Sequence, residues 1–315
     1  MLFFGFCEQT PSRCQEDSTI LVTTLSRWQK LIPKRAAFAS EFLLLGRSLT
    51  ICHCLGGQKT VIRIISLVPS VTELLVAVGL GPWLVGRTGF CTHPPKVVDE
   101  IPKVGGTKNL NLEKIRRLAP SHVVVNVDEN RLEDVDAIRR MGPTVIVTHP
   151  CAPEDNLQLL QQLVLHFAGE VTGVRAHAAH LEQRLTLELG ECRRQVWPAR
   201  RVLYLIWRAP WMTVAQDTYI SRMLAEVGWW TWPPVKGGDT GAARYPALTG
   251  DEPWLEDMDE LLLSSEPYRF GPQHVAEAQA LCPRARVRLV DGELLSWYGP
   301  RAAQGLAYLR SLARA

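Results

Sequence analysis

Val61-Ile62-Arg63-Ile64-Ile65-Ser66-Leu67-Val68 runs without a break into Pro69-Ser70-Val71-Thr72-Glu73. The first eight residues are apolar and β-branched enough for a strand buried on both faces. The next five carry a helix start. Ser70 is a natural N-cap, and Glu73, three residues on, completes a capping box. Outward from this junction the alternation repeats, with strands expected at 83–87, 122–127 and 144–148 and helices at 112–118 and 131–141. Strands and helices in turn argue for a mostly parallel sheet covered on both faces.

From 153 to 195 the strand signal disappears. Leu157, Leu160, Leu163 and Val164 recur at helical spacing, as do Val171, Val174, Ala178, Leu181, Leu185 and Leu189. Gly169 and Gly173 divide the segment into two helices, the second of about 22–25 residues and roughly 35 Å. Beyond Pro198 strands are expected at 201–207, 211–215, 261–263 and 287–290. A helix is expected at 219–227 and another at 300–312, with Pro300 at its first position. The expected fold class is α/β: two lobes, each a mostly parallel sheet flanked by helices, joined by one long backbone helix. The expected divisions are an N-terminal extension (1–60), a first lobe (61–152), a helical segment (153–197) and a second lobe (198–315).

The chain has 315 residues, 46% of them hydrophobic and 21% charged, which excludes a disordered or fibrous protein. No apolar run reaches the roughly 18–20 residues of a membrane-spanning helix. A net charge of +3 gives no reason to expect nucleic acid as a partner. Cys7, Cys14, Cys52 and Cys54 cluster early and no CxxC pair occurs, so the eight cysteines are expected as free, mostly buried thiols. Cys52-His53-Cys54 without a second pair is weak evidence for zinc. Met1 to Phe6 is apolar with no basic residue before it. Lys34-Arg35 followed by Ala36 to Leu45, with Glu41 inside, is a distorted export signal. The first sixty residues are therefore expected to be a poorly ordered extension or the product of a start codon placed too far upstream, and both extracytoplasmic and cytoplasmic locations stay open. Ten tryptophans are present, and eight of them lie from Trp197 onward.

Parallel-sheet lobes bind ligands beyond the carboxyl ends of their strands. Two lobes on one helix therefore place a ligand in the cleft between them. Arg63 to Glu73 comes first, then Gly89-Phe90-Cys91-Thr92-His93-Pro94-Pro95. Val104-Gly105-Gly106-Thr107 follows, with Asn111-Leu112-Glu113-Lys114-Ile115 and Leu118-Ala119-Pro120 after it. With 202–214 and 297–306, this ordered set resembles the helical-backbone substrate-binding proteins of ABC importers, and among them most the vitamin B12-binding branch. The resemblance covers about 62–312.

The resemblance implies a non-catalytic protein that holds a corrinoid, cobalamin foremost, as a bound ligand and not as a catalyst, and delivers it as a monomer to an ABC importer permease. A corrin is a flat macrocycle with polar edges, suited to aromatic walls and a few orienting polar groups. The expected walls are Phe90, Trp207, Trp211, Tyr245, Trp297 and Tyr298, with edge contacts from Asn126, Asn130, Arg208 and Arg244. His93 is the one candidate axial ligand to the ligand's metal, though a hydrogen-bonded loop histidine is the simpler expectation; no protein-held metal is expected. His177 and His180, three apart on the long helix, lack a third ligand. Glu113 matches the position where the family presents a glutamate to its transporter. Its counterpart falls near Asp251 or Glu252, in a segment that departs from the family pattern. Trp229, Trp230, Trp232 and Trp254 lie in or beside that departing stretch and are expected to pack a loop, and Trp197 to anchor the long helix.

Two alternatives remain at this point. A ferric-siderophore or haem binder of the same fold would use a cluster of cations such as Arg208, Arg244 and Arg301. An enzyme acting on a tetrapyrrole or metal-chelate would use His93 or Glu129. No nucleophile elbow, phosphate loop or zinc helix occurs. Gly237-Gly238-Asp239-Thr240-Gly241, after Pro233-Pro234, reads as a flexible loop.

Overall fold

The computed structural model describes residues 61–315. The N-terminal cysteines and the export-signal-like stretch lie outside them. Strands β1 (Ile64–Ser66), β2 (Leu84–Arg87), β3 (His122–Asn126) and β4 (Thr144–Thr148) form a parallel sheet in the order β2-β1-β3-β4. Helix α1 (Pro69–Ala77) follows β1, the short α2 (Pro95–Val98) and α3 (Leu112–Arg117) follow β2, and α4 (Leu132–Arg139) joins β3 to β4. Helices α5 (Asp155–Phe167) and α6 (Val174–Arg193) then carry the chain away. A second parallel sheet has the order β10-β9-β5-β7, built from β5 (Arg200–Leu205), β7 (Trp229–Thr231), β9 (Glu260–Ser264) and β10 (Arg286–Val290). Beside it, β6 (Trp211–Met212) pairs antiparallel with β8 (Ala247–Leu248). Helices α7 (Tyr219–Ala225), α8 (Val275–Leu281), α9 (Gly292–Ser296) and α10 (Arg301–Arg314) complete the described chain.

Both sheets are apolar on both faces, as the sequence alternation requires. On β3, Val123 and Val125 enter one cluster with Val135 and Ile138 of α4, while Val124 faces another with Ile64 and Phe167. On β5, Leu203 and Leu205 pack with Leu261 and Leu263, while Val202 and Tyr204 turn the other way. The cluster holding Val124 is the same one that holds Val202 and Tyr204. It is continuous through Leu163 and Phe167 of α5, Leu185 and Leu189 of α6, and Leu306 and Leu309 of α10. The two sheets thus share one core along the helices that join them.

Several boundaries differ from expectation. Helix α1 starts at Pro69, with Val68 in the cap position and no side-chain cap, so Ser70 and Glu73 do not form a capping box. Proline fixes the helical φ and lacks the N–H a cap would satisfy, which starts the helix early and frees Glu73 for Arg301. The long helix is α6, of 20 residues, shorter than expected because Gly173 at φ 92° ends the preceding turn. Pro300 is the cap of α10, not its first residue. The strand expected at 211–215 is only Trp211–Met212. Trp229 and Trp230 lie in β7, hydrogen-bonded along β5, and so are sheet, not loop. Trp232 and Trp254 pair at 5.9 Å between ring centroids, with the Arg201 guanidinium 5.5 Å from the centroid of the Trp232 ring. Trp197 does anchor the end of α6: its Nε1 donates to the Cys192 carbonyl at 2.8 Å.

Candidate functional site

The carboxyl ends of β3 and β4 deliver two short loops to the same place, because those strands pair in register from His122 with Thr144 to Asn126 with Thr148. The first loop, 127–130, is fastened by its own ends. The Asn126 amide nitrogen donates to the Thr148 carbonyl (3.0 Å), and its side-chain oxygen accepts from Asp128 N (2.8 Å). Asn130 Oδ1 accepts from Asn126 N (2.8 Å), while its Nδ2 donates to the Leu67 and Thr107 carbonyls. Asn126 and Asn130 were expected to bind a ligand's edge; both are buried and spend these hydrogen bonds holding the loop. The loop presents Asp128 and Glu129.

Asp128 meets the second half of the chain. Arg244 Nε lies 3.2 Å from Asp128 Oδ1, and Arg244 Nη2 donates to Oδ2 at 3.2 Å. Arg244 also donates to the Gly238 carbonyl at 2.6 Å, and is 1% exposed. His149, on the loop after β4, has Nε2 3.6 Å from Asp128 Oδ2 and 3.4 Å from Cys151 Sγ. Burial alone would raise the Asp128 carboxyl, but the His149 hydrogen bond and the Arg244 charge hold it below its ordinary value. Burial likewise opposes a charge on His149, yet Asp128 and Cys151 lift that ring from 6.5 to about 9. Asp128, His149 and Arg244 therefore form a buried, charge-neutralising cluster spanning the cleft. The sequence shows Asp128-Glu129 as adjacent acids, but His149 and Cys151 carry no local signal for joining them.

Glu129 faces the other way. Its Oε1 accepts from the Tyr298 hydroxyl at 3.1 Å, and burial pushes its carboxyl above the ordinary value. Arg301 fills the adjoining corner, with Nε 2.6 Å from Glu73 Oε2 and Nη1 2.7 Å from Glu293 Oε2. The Arg301 guanidinium lies 4.9 Å from the centroid of the Trp297 ring. His93 stands edge-on to Trp297 at 5.5 Å, with Nε2 3.4 Å from Glu293 Oε1.

Between these groups opens a cavity of about 500 Å³, part of it continuous with bulk solvent. Ser70, Asn126, Asp128, Glu129 and Pro150 line it from the first half of the chain. Thr218, Tyr219, Ile220, Tyr245, Ser296, Trp297 and Tyr298 line it from the second. Of the expected aromatic walls, Tyr245, Trp297 and Tyr298 are brought together here, joined by Tyr219, which the sequence did not single out. Trp207 and Trp211 are not among the lining residues. Trp207 stands edge-on to Tyr268 at 5.7 Å and Trp211 stacks on Phe270 at 6.0 Å, so both belong to the packing of the second sheet. Phe90 lies against Gly106. Arg208 pairs with Glu277 at 2.7 Å outside the cavity. Gly237 and Gly238, expected in a flexible loop, donate their amides to Asp217 and so brace Arg244.

Glu113 is exposed on α3 and pairs with Arg116 at 3.0 Å. Asp251 is exposed, whereas Glu252 accepts the Thr249 and Gly250 amides of its own turn.

A sequence profile of the family described as periplasmic binding protein matches residues 64–237. A vitamin B12-binding protein of Vibrio cholerae is 27% identical over 168 residues, 53% of this chain and 59% of that protein. The chain thus spans less than two thirds of the length of the B12-binding relatives first matched. An uncharacterized ABC transporter substrate-binding lipoprotein of Bacillus subtilis, YvrC, is 26% identical over 267 residues, 78% of each chain. Among solved structures, the periplasmic vitamin B12 binding protein BtuF of V. cholerae superposes with a TM-score of 0.67 at 20% identity, covering 80% of this chain and 96% of that one. The periplasmic haem binding protein HutB of V. cholerae gives 0.65 at 21% identity, with 81% and 99% covered. These likenesses establish the two-lobed fold, and two scores so close do not choose between ligands.

Proposed function

Because the chain belongs to the periplasmic binding protein family, we propose that it binds a corrinoid, cobalamin foremost, in the cleft between its two sheets. In this reading it is the substrate-binding component of an ABC importer, placed outside the cytoplasm, and releases its ligand unchanged. Its family and fold are those of substrate-binding proteins, not enzymes.

One observation carries the choice of ligand. Arg208, Arg244 and Arg301, the cations available for an anionic haem or siderophore, are each neutralised by a carboxylate. Among the described residues lining the cavity there is no Lys, Arg or His; they offer aromatic rings, hydroxyls, an asparagine and the carboxyl groups of Asp128 and Glu129. Rings bury a flat apolar surface at little entropic cost, and neutral polar groups match a rim of carboxamides. An anionic rim would have to be buried without a counter-charge, which is costly. His93 points its Nε2 at Glu293, so an axial bond to a bound metal would require that contact to break.

Titrating the purified protein with cyanocobalamin, haemin and a ferric siderophore, followed by heat and visible spectra, tests this. Cyanocobalamin should bind most tightly. No cobalamin binding up to about 100 μM, a Kd limit equivalent to roughly 5.5 kcal/mol, overturns the proposal.

A further inference from the structure

We propose that Glu129 is the specificity residue of this cleft: its unpartnered carboxyl oxygen admits a ligand edged with carboxamides and rejects one edged with carboxylates. The inference rests on the corrinoid reading above and adds the residue that would enforce it.

Glu129 is 7% exposed yet lines the cavity. Its two oxygens are not equivalent. Oε1 is engaged by the Tyr298 hydroxyl, while Oε2, equally buried, has no hydrogen-bond partner among the described residues. Every other buried side-chain atom left in that state, Ser70 Oγ apart, lies within ion-pair distance of an opposite charge: Asp128 with Arg244, Glu188 with Arg310, Glu260 with Arg288. A buried acceptor without a partner is costly. In a cavity wall it is satisfied when a ligand brings a donor.

The groups facing Glu129 narrow what that ligand can offer. Among the described residues they are Tyr298 from the segment between α9 and α10, Lys108 from the loop before α3, Asp128 next in the chain, and the buried Cys91 thiol. Lys108 Nζ is committed to the Asp128 carbonyl at 2.8 Å. Asp128 is committed to Arg244 and His149. Among the described residues no spare cation is left to share an incoming carboxylate with Glu129. An ionised Glu129 accepts from an amide N–H₂, and a protonated one donates to an amide C=O, so a carboxamide suits it in either state. A ligand carboxylate suits only the protonated state and is otherwise repelled by a like charge in a site shielded from water.

The test uses two corrinoids that share a ring and differ at its rim: dicyanocobinamide, edged with amides, and dicyanocobyrinic acid, edged with carboxylates. Each is titrated into the full chain at mildly alkaline pH. The wild-type protein should prefer the amide form by about tenfold or more, and Glu129→Gln should reduce the preference to within about threefold by gaining cobyrinic acid affinity. Equal wild-type affinities for the two corrinoids overturn the inference, and need no variant to be folded. A preference unchanged in Glu129→Gln overturns it as well. Failure of the wild type to bind cyanocobalamin at all would fall on the corrinoid reading instead.

Discussion

Asp128, His149 and Arg244 make the strongest demand on single residues. Arg244 is buried against one carboxylate, so removing it leaves a buried charge with only the imidazolium to answer it. Arg244→Met should destabilise the protein by about 3–5 kcal/mol in urea denaturation, and Arg244→Lys should recover only part of that, since it cannot fork across both oxygens. The pH dependence has a definite sign. His149 titrates higher in the folded chain, about 9 against an ordinary 6.5. Its contribution is fully present below about pH 6.5 and is lost as pH rises through about 9, on the order of 3 kcal/mol in all. Stability measured across that window should fall in the wild type and stay level in His149→Asn at this site. Neither pairing is legible from local pattern. Asp128 and Arg244 are brought together only by the approach of two separate sheets, and an arginine in a sequence looks the same whether it greets a ligand or a neighbouring carboxylate. Trp297 and Tyr298 lie beyond the carboxyl end of β10, after the short α9, and Tyr245 just before β8, in connections outside the parallel strands where a ligand of such a sheet must touch.

At the scale of elements, the segment Trp297–Pro300 between α9 and α10 supplies the cleft's aromatic wall, and its position depends on how closely the two helices approach. Gly305 on α10 permits that approach: a Cβ there would run into the Leu294 carbonyl of α9. Backbone cannot step aside as a flexible side chain can. Gly305→Ala should therefore cost about 1–3 kcal/mol in thermal or urea unfolding. It should also weaken cyanocobalamin binding by moving Trp297 and Tyr298, although Gly305 lines no part of the cavity. Unchanged affinity would show that α9 and α10 do not set the wall. Long elements with strong period were legible, and β4 at Thr144–Thr148 has the expected limits. Short ones were not. β7 has three residues, two of them tryptophan, with no room for alternation to show, and only its ladder to β5 makes it a strand. The capping box misled for a local reason: Ser70 and Glu73 have the right spacing, but Pro69 ahead of them had already started the helix.

For the molecule as a whole, the joining helices decide how freely the two sheets can move. Two lobes with separate cores could swing on their connection. Here one apolar cluster runs from Ile64 and Val124 through Phe167, Leu185 and Leu189 to Tyr204 and Leu306. The ion pairs Asp128–Arg244 and Glu73–Arg301 tie the rims above it. Opening the cleft widely would expose part of that core to water at roughly 25 cal/mol per Å² of apolar surface, so large hinge motion is disfavoured. Ligand binding should accordingly leave the radius of gyration in solution scattering nearly unchanged. The shared core makes a second demand on unfolding. Leu185, in the middle of α6 and 3% exposed, touches neither sheet's outer face, yet it belongs to the cluster both sheets use. Leu185→Ala should lower stability by about 2–5 kcal/mol while calorimetry still records a single transition at a reduced Tm. If the sheets instead had independent cores, the same substitution would split the transition in two, or would leave one half melting at the wild-type temperature. Either result would refute the continuous core and, with it, the expectation of a cleft that closes by small adjustments.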